Sequence, residues 1–248
     1  IIYNCLYSRK GEEMMLLETI CKNTNEYILS KPKNIRKEIG QFFTSQDIAK
    51  FMASQINVDE KLSSISILDP GTGSGILMAA AIEYIANNLN FIENISITLF
   101  ENDSSVVELL LRNIKIAEEF CNNRNINLDI NLFKENFILY NKENWINSVE
   151  QYDIVISNPP YKKIKKLSDE SLVMEKIVFG QPNLYALFMA LSASLLKKNG
   201  DFIFIVPRSW TSGKYFEKFR EYLFKKINIQ KIHLFKKRTD LFKEDSVL

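Results

Sequence analysis

The length, composition and charge of this chain of 248 residues limit what it can do. Its mass of 28.8 kDa suits one large α/β domain with a small appendage. A net charge of only +2 gives no global basic field, so any binding of nucleic acid must come from local patches. The three cysteines lack CxxC spacing and there is a single histidine, which excludes a zinc site, a histidine-based nucleophile system and a disulfide framework.

These features fit a protein of the reducing cytoplasm. No apolar run reaches the length that spans a membrane, so no membrane partner is expected. The first residue is Ile1 rather than methionine, and we therefore expect part of the natural N-terminus to be missing.

The N-terminal region has a helical pattern. Apolar residues at near-helical spacing predict a helix over Glu12–Leu29, which ends before Lys31 and Pro32. Lys33 to Lys37 reads as a basic linker. A turn over Gly40–Ser45 then leads into a second helix, Gln46–Ile56, for which Ser45 is the candidate N-cap.

From residue 64 onward, short apolar runs alternate with longer helical patterns. The predicted strands are Ile65–Leu68, Ile95–Phe100, Asn127–Phe133, Asp153–Ser157, Phe202–Val206 and Ile227–Phe235. The predicted helices are Ile76–Asn87, Ser104–Asn122, Pro182–Lys198 with Asn199-Gly200 as C-cap, and Lys214–Lys226. This alternation predicts an α/β fold with a Rossmann-like, doubly wound, mostly parallel sheet, joined by right-handed crossovers and covered by helices on both faces. Residues 240–248 read as the start of a seventh strand, so we expect the domain to be truncated at its C-terminal end.

A glycine-rich loop follows the first predicted strand. Three of the eight glycines fall within the loop Asp69-Pro70-Gly71-Thr72-Gly73-Ser74-Gly75, which opens a helix. This order lets a ligand approach the main chain and the helix N-terminus. The loop lacks both the GK[ST] ending of a P-loop and the G-x-G-x-x-G spacing. Asp69 would repel a pyrophosphate but accept hydrogen bonds from an amino group, which favours a ligand that carries an ammonium.

Polar side chains also follow the second and third strands. Glu101 lies where an acid can take two ribose hydroxyls, although such a residue is as often a solvated strand end. Asn136 and Phe137 can offer an amide and a ring to an adenine. The alternative is a loop with one buried aromatic residue.

The fourth strand ends in the tetrapeptide Asn158-Pro159-Pro160-Tyr161. The two prolines cannot donate ladder hydrogen bonds and fix their own φ, so the strand stops there. Asn158 and Tyr161 are then presented beyond its carboxyl end, where open α/β sheets bind ligands. Four lysines follow, at positions 162, 163, 165 and 166. They form either a solvated loop or a contact to a phosphate backbone.

The order of these segments resembles a known enzyme family. The Phe42–Ser45 segment before Asp69–Gly75, and Asn158–Tyr161 after it, resemble the class I S-adenosylmethionine-dependent methyltransferases. Within them, the chain is similar to the gamma group of adenine-N6 DNA methyltransferases of restriction-modification systems. The resemblance covers about residues 40–248 and implies a catalytic domain there, preceded by a helical extension at residues 1–39.

The resemblance also implies a cofactor, partners and site residues. The cofactor would be S-adenosyl-L-methionine and the substrate double-stranded DNA. A separate module reads the DNA sequence in this family, and the full-length protein could also carry an endonuclease or specificity module. The implied catalytic residues are Asn158, Pro159, Pro160, Tyr161 and Phe216. The implied cofactor-binding residues are Thr44 at the methionine carboxylate, Asp69, Gly71 and Gly73 around the methionine, Glu101 at the ribose, Asn102, Asn136 and Phe137 at the adenine, and Asn158 itself.

Two positions depart from the family pattern. Position 136 usually holds an aspartate, whose carboxylate accepts from the adenine amino group, and position 102 usually holds an apolar residue. Asn136 keeps an acceptor but loses the charge.

The implied mechanism follows from the chemistry of an aromatic amine. The Asn158 side-chain oxygen and the Pro159 carbonyl would accept the two N6 hydrogens and favour the tetrahedral nitrogen of the transition state. The target base must be flipped out of the duplex, and Tyr161 and Phe216 would replace its lost stacking. Two alternatives remain: a methyltransferase that acts on RNA bases or on protein glutamine, and a catalytically silent subunit that binds the cofactor and recognises DNA for a partner.

Overall fold

The structure is a computed structural model that describes residues 15–32 and 43–235. Its centre is a five-stranded sheet in the order β3-β2-β1-β4-β5, in which all neighbouring strands are parallel. The strands are β1 Ser64–Asp69, β2 Asn94–Phe100, β3 Asn127–Phe133, β4 Tyr152–Ser157 and β5 Leu196–Phe204. The predicted parallel sheet is therefore confirmed.

Helices cover both faces of this sheet. They are α1 Leu16–Ser30, α2 Gln46–Ala53, α3 Ile76–Asn88, α4 Ser104–Asn122, α5 Phe137–Tyr140, α6 Lys142–Asn147, α7 Asp169–Val173, α8 Leu184–Leu195 and α9 Glu217–Lys226. Alternate residues of the interior strand β4 enter two separate cores. Ile154 and Ile156 pack with α1 to α4, whereas Val155 packs with α5, α6, α8 and α9. A strand that is apolar on both faces is what a doubly covered parallel sheet requires.

The strand order reverses between β1 and β4. The chain proceeds from β1 outward to β2 and β3, then returns to the other side of β1 for β4 and β5. The loops that follow β1 and β4 consequently leave the sheet toward opposite faces and open a crevice between them. Both the glycine loop and the Asn158–Tyr161 segment lie at this point.

The N-terminal helix packs on the sheet domain. α1 contacts α3 and α4, and its Leu16, Leu17 and Ile20 are buried in the same core. The Thr24 hydroxyl donates to the hydroxyl of Ser74 in the glycine loop at 2.9 Å. The predicted start of this helix at Glu12, the basic linker and the first part of the turn before α2 lie outside the described residues.

The predicted end of the helix over Pro182–Lys198 is wrong. The helix ends at Leu195 and β5 begins at the next residue, so Asn199-Gly200 is not a helix C-cap. Tyr152 pairs with Leu196 but Ile154 pairs with Asp201, so β5 contains extra residues at this point. Asn199 takes a left-handed φ of 65° within this irregularity. Positive φ at Asn-Gly is common to helix ends and strand bulges, which explains the error.

The predicted sixth strand is also wrong. Residues 227–235 form no regular secondary structure, although Phe235 and the His233 ring pack on Phe51 of α2. The predicted strand at residues 240–248 lies outside the described residues. Among the described residues, no helix is long and apolar enough to cross a membrane.

Candidate active site

A cleft of about 270 Å³ lies at the strand-order reversal, at the carboxyl ends of β1 to β4. It brings together residues from four loops that the sequence predicted as a site. These are Gly71, Gly73, Glu101, Asn102, Asn136, Phe137, Asn158, Pro159, Pro160 and Tyr161. A smaller recess of about 40 Å³ shares Gly71, Gly73 and Asn158 with the cleft and adds Thr44. Of the predicted residues, only Asp69 and Phe216 line neither space.

Two glycines of the loop, Gly71 and Gly73, leave part of one wall of the cleft free of side chains. Gly73 and Gly75 have φ values of 57° and 87°, which favour glycine. A Cβ on Gly73 would lie 3.6 Å from the ring of Phe43, and one on Gly71 would lie 3.4 Å from the ring of Phe188. A side chain at either position would enter the narrow space between the loop and these rings, so a ligand here can contact the main chain.

Asp69 ends β1 beneath the glycine loop. It is 1% exposed, and neither carboxylate oxygen has a hydrogen-bond partner among the described residues. The pKa of Asp69 is raised to about 7, mainly by burial and to a smaller extent by the nearby Glu101. The Thr72 hydroxyl and the Gly71 amide oppose the rise, although neither forms an aligned hydrogen bond with the carboxylate. Burying a carboxylate without a partner destabilises the folded protein. Such a carboxylate is therefore a candidate binding partner for a positively charged group of a ligand.

Glu101 connects two loops at the end of β2. One carboxylate oxygen accepts from the Gly73 amide at 2.8 Å, and the other accepts from the Asp103 amide at 2.8 Å. Burial raises the pKa of Glu101, and these amide bonds oppose the rise. Because a carboxylate can accept about four hydrogen bonds, Glu101 keeps the capacity to bind hydroxyl groups that enter the cleft.

The turn after β3 forms the far end of the cleft. The Asn136 oxygen caps α5 by accepting from the amides of Ile138 and Leu139 at 3.0 and 3.2 Å. The Asn136 amide nitrogen donates to Glu170 at 2.9 Å. The Phe137 ring is buried, with its centroid 5.2 Å from those of Phe100 and Phe188. The exposed Asn102 also lines this end.

Asn158 follows β4 and lies between two hydroxyl groups. Its amide nitrogen donates to the Thr44 hydroxyl at 3.1 Å, and its oxygen accepts from the Tyr161 hydroxyl at 2.7 Å. The same Tyr161 hydroxyl lies 2.8 Å from the Ile205 carbonyl. Since it has one hydrogen and the carbonyl can only accept, the two oxygens compete for it. Burial raises the pKa of Tyr161 well above its usual value, so the hydroxyl remains a donor at neutral pH.

Phe216 lies behind the cleft rather than in it. It is 8% exposed. The fully buried ring of Tyr185 contacts both aromatic neighbours, with its centroid 6.2 Å from that of Tyr161 and 5.9 Å from that of Phe216. The Tyr185 hydroxyl bonds with Ser209 at 2.9 Å. Sequence analysis missed Tyr185 and Phe188 because both fall in the apolar stretch of α8, where they are indistinguishable from ordinary core residues. It missed Glu170 because nothing nearby in sequence marks it.

The fold and the cleft define a class of protein. A solved structure from Listeria monocytogenes, assigned to the class I S-adenosylmethionine-dependent methyltransferases, aligns with 84% of this chain and 59% of its own at 18% identity, with a TM-score of 0.56. The fold is that of the class I S-adenosylmethionine-dependent methyltransferases, as the sequence predicted.

The sequence places the chain within this class. A model of the Eco57I restriction-modification methylase family matches residues 77–242. The chain is 33% identical to type II methyltransferase M.BsuBI of Bacillus subtilis, in an alignment that covers 94% of the present chain. It is 31% identical to type II methyltransferase M.PstI of Providencia stuartii, in an alignment that covers 87% of the present chain. It belongs to the Eco57I restriction-modification methylase family, which confirms the resemblance. The chain spans 46% and 42% of these two relatives, less than half of either.

Proposed function

We propose that this chain is the catalytic part of a DNA methyltransferase that transfers a methyl group from S-adenosyl-L-methionine to N6 of adenine in double-stranded DNA. The observation that carries the proposal is the position of Asn158. It stands at the carboxyl end of β4 in the same cleft as Gly71 and Gly73, and its side chain is held by hydrogen bonds. Membership of a restriction-modification methylase family supports DNA as the substrate.

The residues of the cleft fit the proposed cofactor. S-adenosylmethionine would supply a methyl group on a positively charged sulfur. Asp69 does not line the cleft, but it is buried without a partner at the start of the glycine loop, where its charge would attract the cofactor's ammonium. The Thr44 hydroxyl, in the smaller recess, matches the cofactor's carboxylate. Glu101 can accept from ribose hydroxyls. Asn102, Asn136 and Phe137 line the end of the cleft that would hold the adenine.

Asn158 and Pro159 would perform the transfer chemistry on the substrate side. Their two oxygens accept the hydrogens of the target amino group, which removes its lone pair from the aromatic ring and favours a tetrahedral nitrogen. Because this geometry exists only near the transition state, the hydrogen bonds lower the barrier more than they stabilise the bound base. One such preorganised group is worth roughly 3 to 4 kcal/mol. No strong base is needed, since the nitrogen loses its proton after methyl transfer.

A base inside a duplex cannot reach this cleft, so the target must be flipped out. Tyr161 and Pro160 line the cleft and are the groups that would contact its ring. Phe216 does not line the cleft, and it would support this wall from behind through its contact with Tyr185, which in turn contacts Tyr161. Lys162 lines the cleft, and together with the exposed Lys163, Lys165 and Lys166 it is placed to contact DNA phosphates. The recognition module, and any endonuclease, would belong to other parts of the whole protein.

Transfer of labelled methyl groups tests the proposal. The full-length protein and this chain are each incubated with labelled S-adenosylmethionine and with duplex DNA, RNA or protein, and the modified base or residue is identified after hydrolysis. We expect label in DNA as N6-methyladenine, and none with Asn158→Ala. Label in RNA or in protein glutamine, or in cytosine of DNA, would contradict the proposed substrate.

A further inference from the structure

A side-chain hydrogen bond links a residue that lines the cleft to a helix that does not line it. Asn136, in the turn after β3, donates to a carboxylate oxygen of Glu170 in α7 at 2.9 Å. α7 belongs to the segment that follows Asn158–Tyr161 and the four lysines, and it packs against α5. The bond therefore connects the turn after β3 to the segment that follows Asn158–Tyr161 along the chain.

The chain fixes which way the Asn136 amide points. Two backbone amides, of Ile138 and Leu139, donate to the side-chain atom that faces α5, so that atom must be the oxygen. The nitrogen then faces Glu170, and only an acceptor can pair with it. Glu170 therefore acts as the acceptor and Asn136 as the donor. Replacing either one with a side chain that cannot play the same part would break the hydrogen bond.

We infer that Glu170 is a positioning residue for the nucleoside end of the cleft, acting through Asn136. This inference rests on the proposed cofactor site. An aspartate at position 136 would still cap α5 but would bring two carboxylates to hydrogen-bond distance, where like charges repel.

A double-mutant cycle tests this pairing. The proteins are wild type, Asn136→Asp, Glu170→Gln and the double variant, measured by thermal unfolding and by calorimetric titration with S-adenosylhomocysteine. We expect Asn136→Asp to lower the melting temperature by about 3 °C and to weaken ligand affinity about fivefold to tenfold. Glu170→Gln keeps an acceptor oxygen and costs less than about 1 °C. The double variant recovers most of both losses, because the glutamine amide can donate to the new aspartate.

A matched control separates a direct pair from a general charge effect. Asp169 precedes Glu170 in α7 and is exposed, so Asp169→Asn combined with Asn136→Asp removes a charge without restoring the bond. It recovers nothing if the pair is direct. Equal recovery with Asp169→Asn, or an Asn136→Asp variant as stable and as tightly binding as wild type, would overturn the inference. The thermal cycle involves no ligand, so it decides the pairing even if wild type fails to bind S-adenosylhomocysteine, which would instead overturn the proposed function.

Discussion

At the scale of single residues, a substitution of Asn158 is expected to change the rate of methyl transfer far more than the affinity for the cofactor. Its side chain touches Thr44 on the cofactor side and Tyr161 on the substrate side. Asn158→Ala removes the acceptor for the target amino group but leaves the glycine loop and Asp69 intact. We expect methyl transfer to fall at least about a hundredfold while the affinity for S-adenosylhomocysteine changes less than about threefold. Single-turnover transfer and calorimetry measure the two effects, and an equal loss in both would refute the assigned role.

Asp69 is expected to stabilise the bound ligand at the expense of the free protein. Its pKa of about 7 lies above its ordinary value of 3.8, so between these pH values the folded state holds a proton that the unfolded chain has released. The resulting contribution to stability is fully present below pH 4 and is lost as the pH rises through 7.

Asp69→Asn removes this buried charge. We therefore expect the free energy of unfolding at pH 8 to rise by about 2 kcal/mol, with little change at pH 4. The same variant loses most of its affinity for S-adenosylhomocysteine, because the ligand ammonium loses its carboxylate. Denaturant unfolding at both pH values, with the exposed Asp129→Asn as control, checks the first effect, and calorimetry checks the second. A variant that is less stable at pH 8 yet binds normally would show that Asp69 serves the fold rather than the ligand.

At the scale of elements, the irregular start of β5 depends on two neighbouring residues, Asn199 and Gly200. Position 200 has no room for a side chain, whereas position 199 carries a side chain on a backbone conformation that favours glycine. A Cβ on Gly200 would lie 2.7 Å from the Asp153 carbonyl oxygen, and backbone cannot move aside cheaply. Asn199 instead holds a left-handed φ of 65°, which glycine adopts without strain. We expect Gly200→Ala to lower the free energy of unfolding by about 2 kcal/mol and Asn199→Gly to raise it by about 0.5 kcal/mol. Both changes are measurable by urea denaturation, and a shift of the same sign in both would contradict this description.

The contrast between β4 and β5 shows how far the sequence predicts the elements. Residues 154–156 are apolar and β-branched, and two prolines follow at positions 159 and 160, so the local signals agree with the strand that forms. Residues 196–200 read Leu-Lys-Lys-Asn-Gly, which locally indicates a helix end. Pairing with β4 and the ion pair between Lys197 and Asp153, at 2.9 Å, hold this segment in the sheet instead. Such long-range contacts leave no trace in the local pattern.

The same limit applies to the site. The residues on loops after β1 to β4 could be predicted to meet, because parallel strands deliver their carboxyl ends to one edge. Tyr185 and Glu170 could not, since their places depend on how α8 and α7 pack against that edge. Phe216 was predicted from its position in a motif, and in the structure it contacts Tyr185 but does not line the cleft.

At the scale of the whole molecule, charge distribution matters more than net charge. The chain carries 32 basic and 30 acidic residues, so it has no overall attraction for DNA. The four lysines after Tyr161 are exposed and begin at the cleft itself. Among the described residues, this loop places positive charge beside the cleft, and we therefore expect it to contribute to the electrostatic attraction of DNA.

Replacing Lys162, Lys163, Lys165 and Lys166 with glutamine tests the contribution of the loop. Each lysine that neutralises a phosphate adds about 0.9 to the slope of log K against log salt concentration. We expect the slope for duplex DNA to fall by up to about 3.5 and the affinity at low salt to fall more than tenfold, while affinity for S-adenosylhomocysteine stays unchanged. Fluorescence anisotropy with a labelled duplex at several salt concentrations measures both quantities. Lys225→Gln with Lys226→Gln in α9, far from Tyr161 in sequence, is the control for charge alone. If that control lowers the slope by as much per lysine, DNA is bound by diffuse charge, and the loop has no special part in holding the substrate over the cleft.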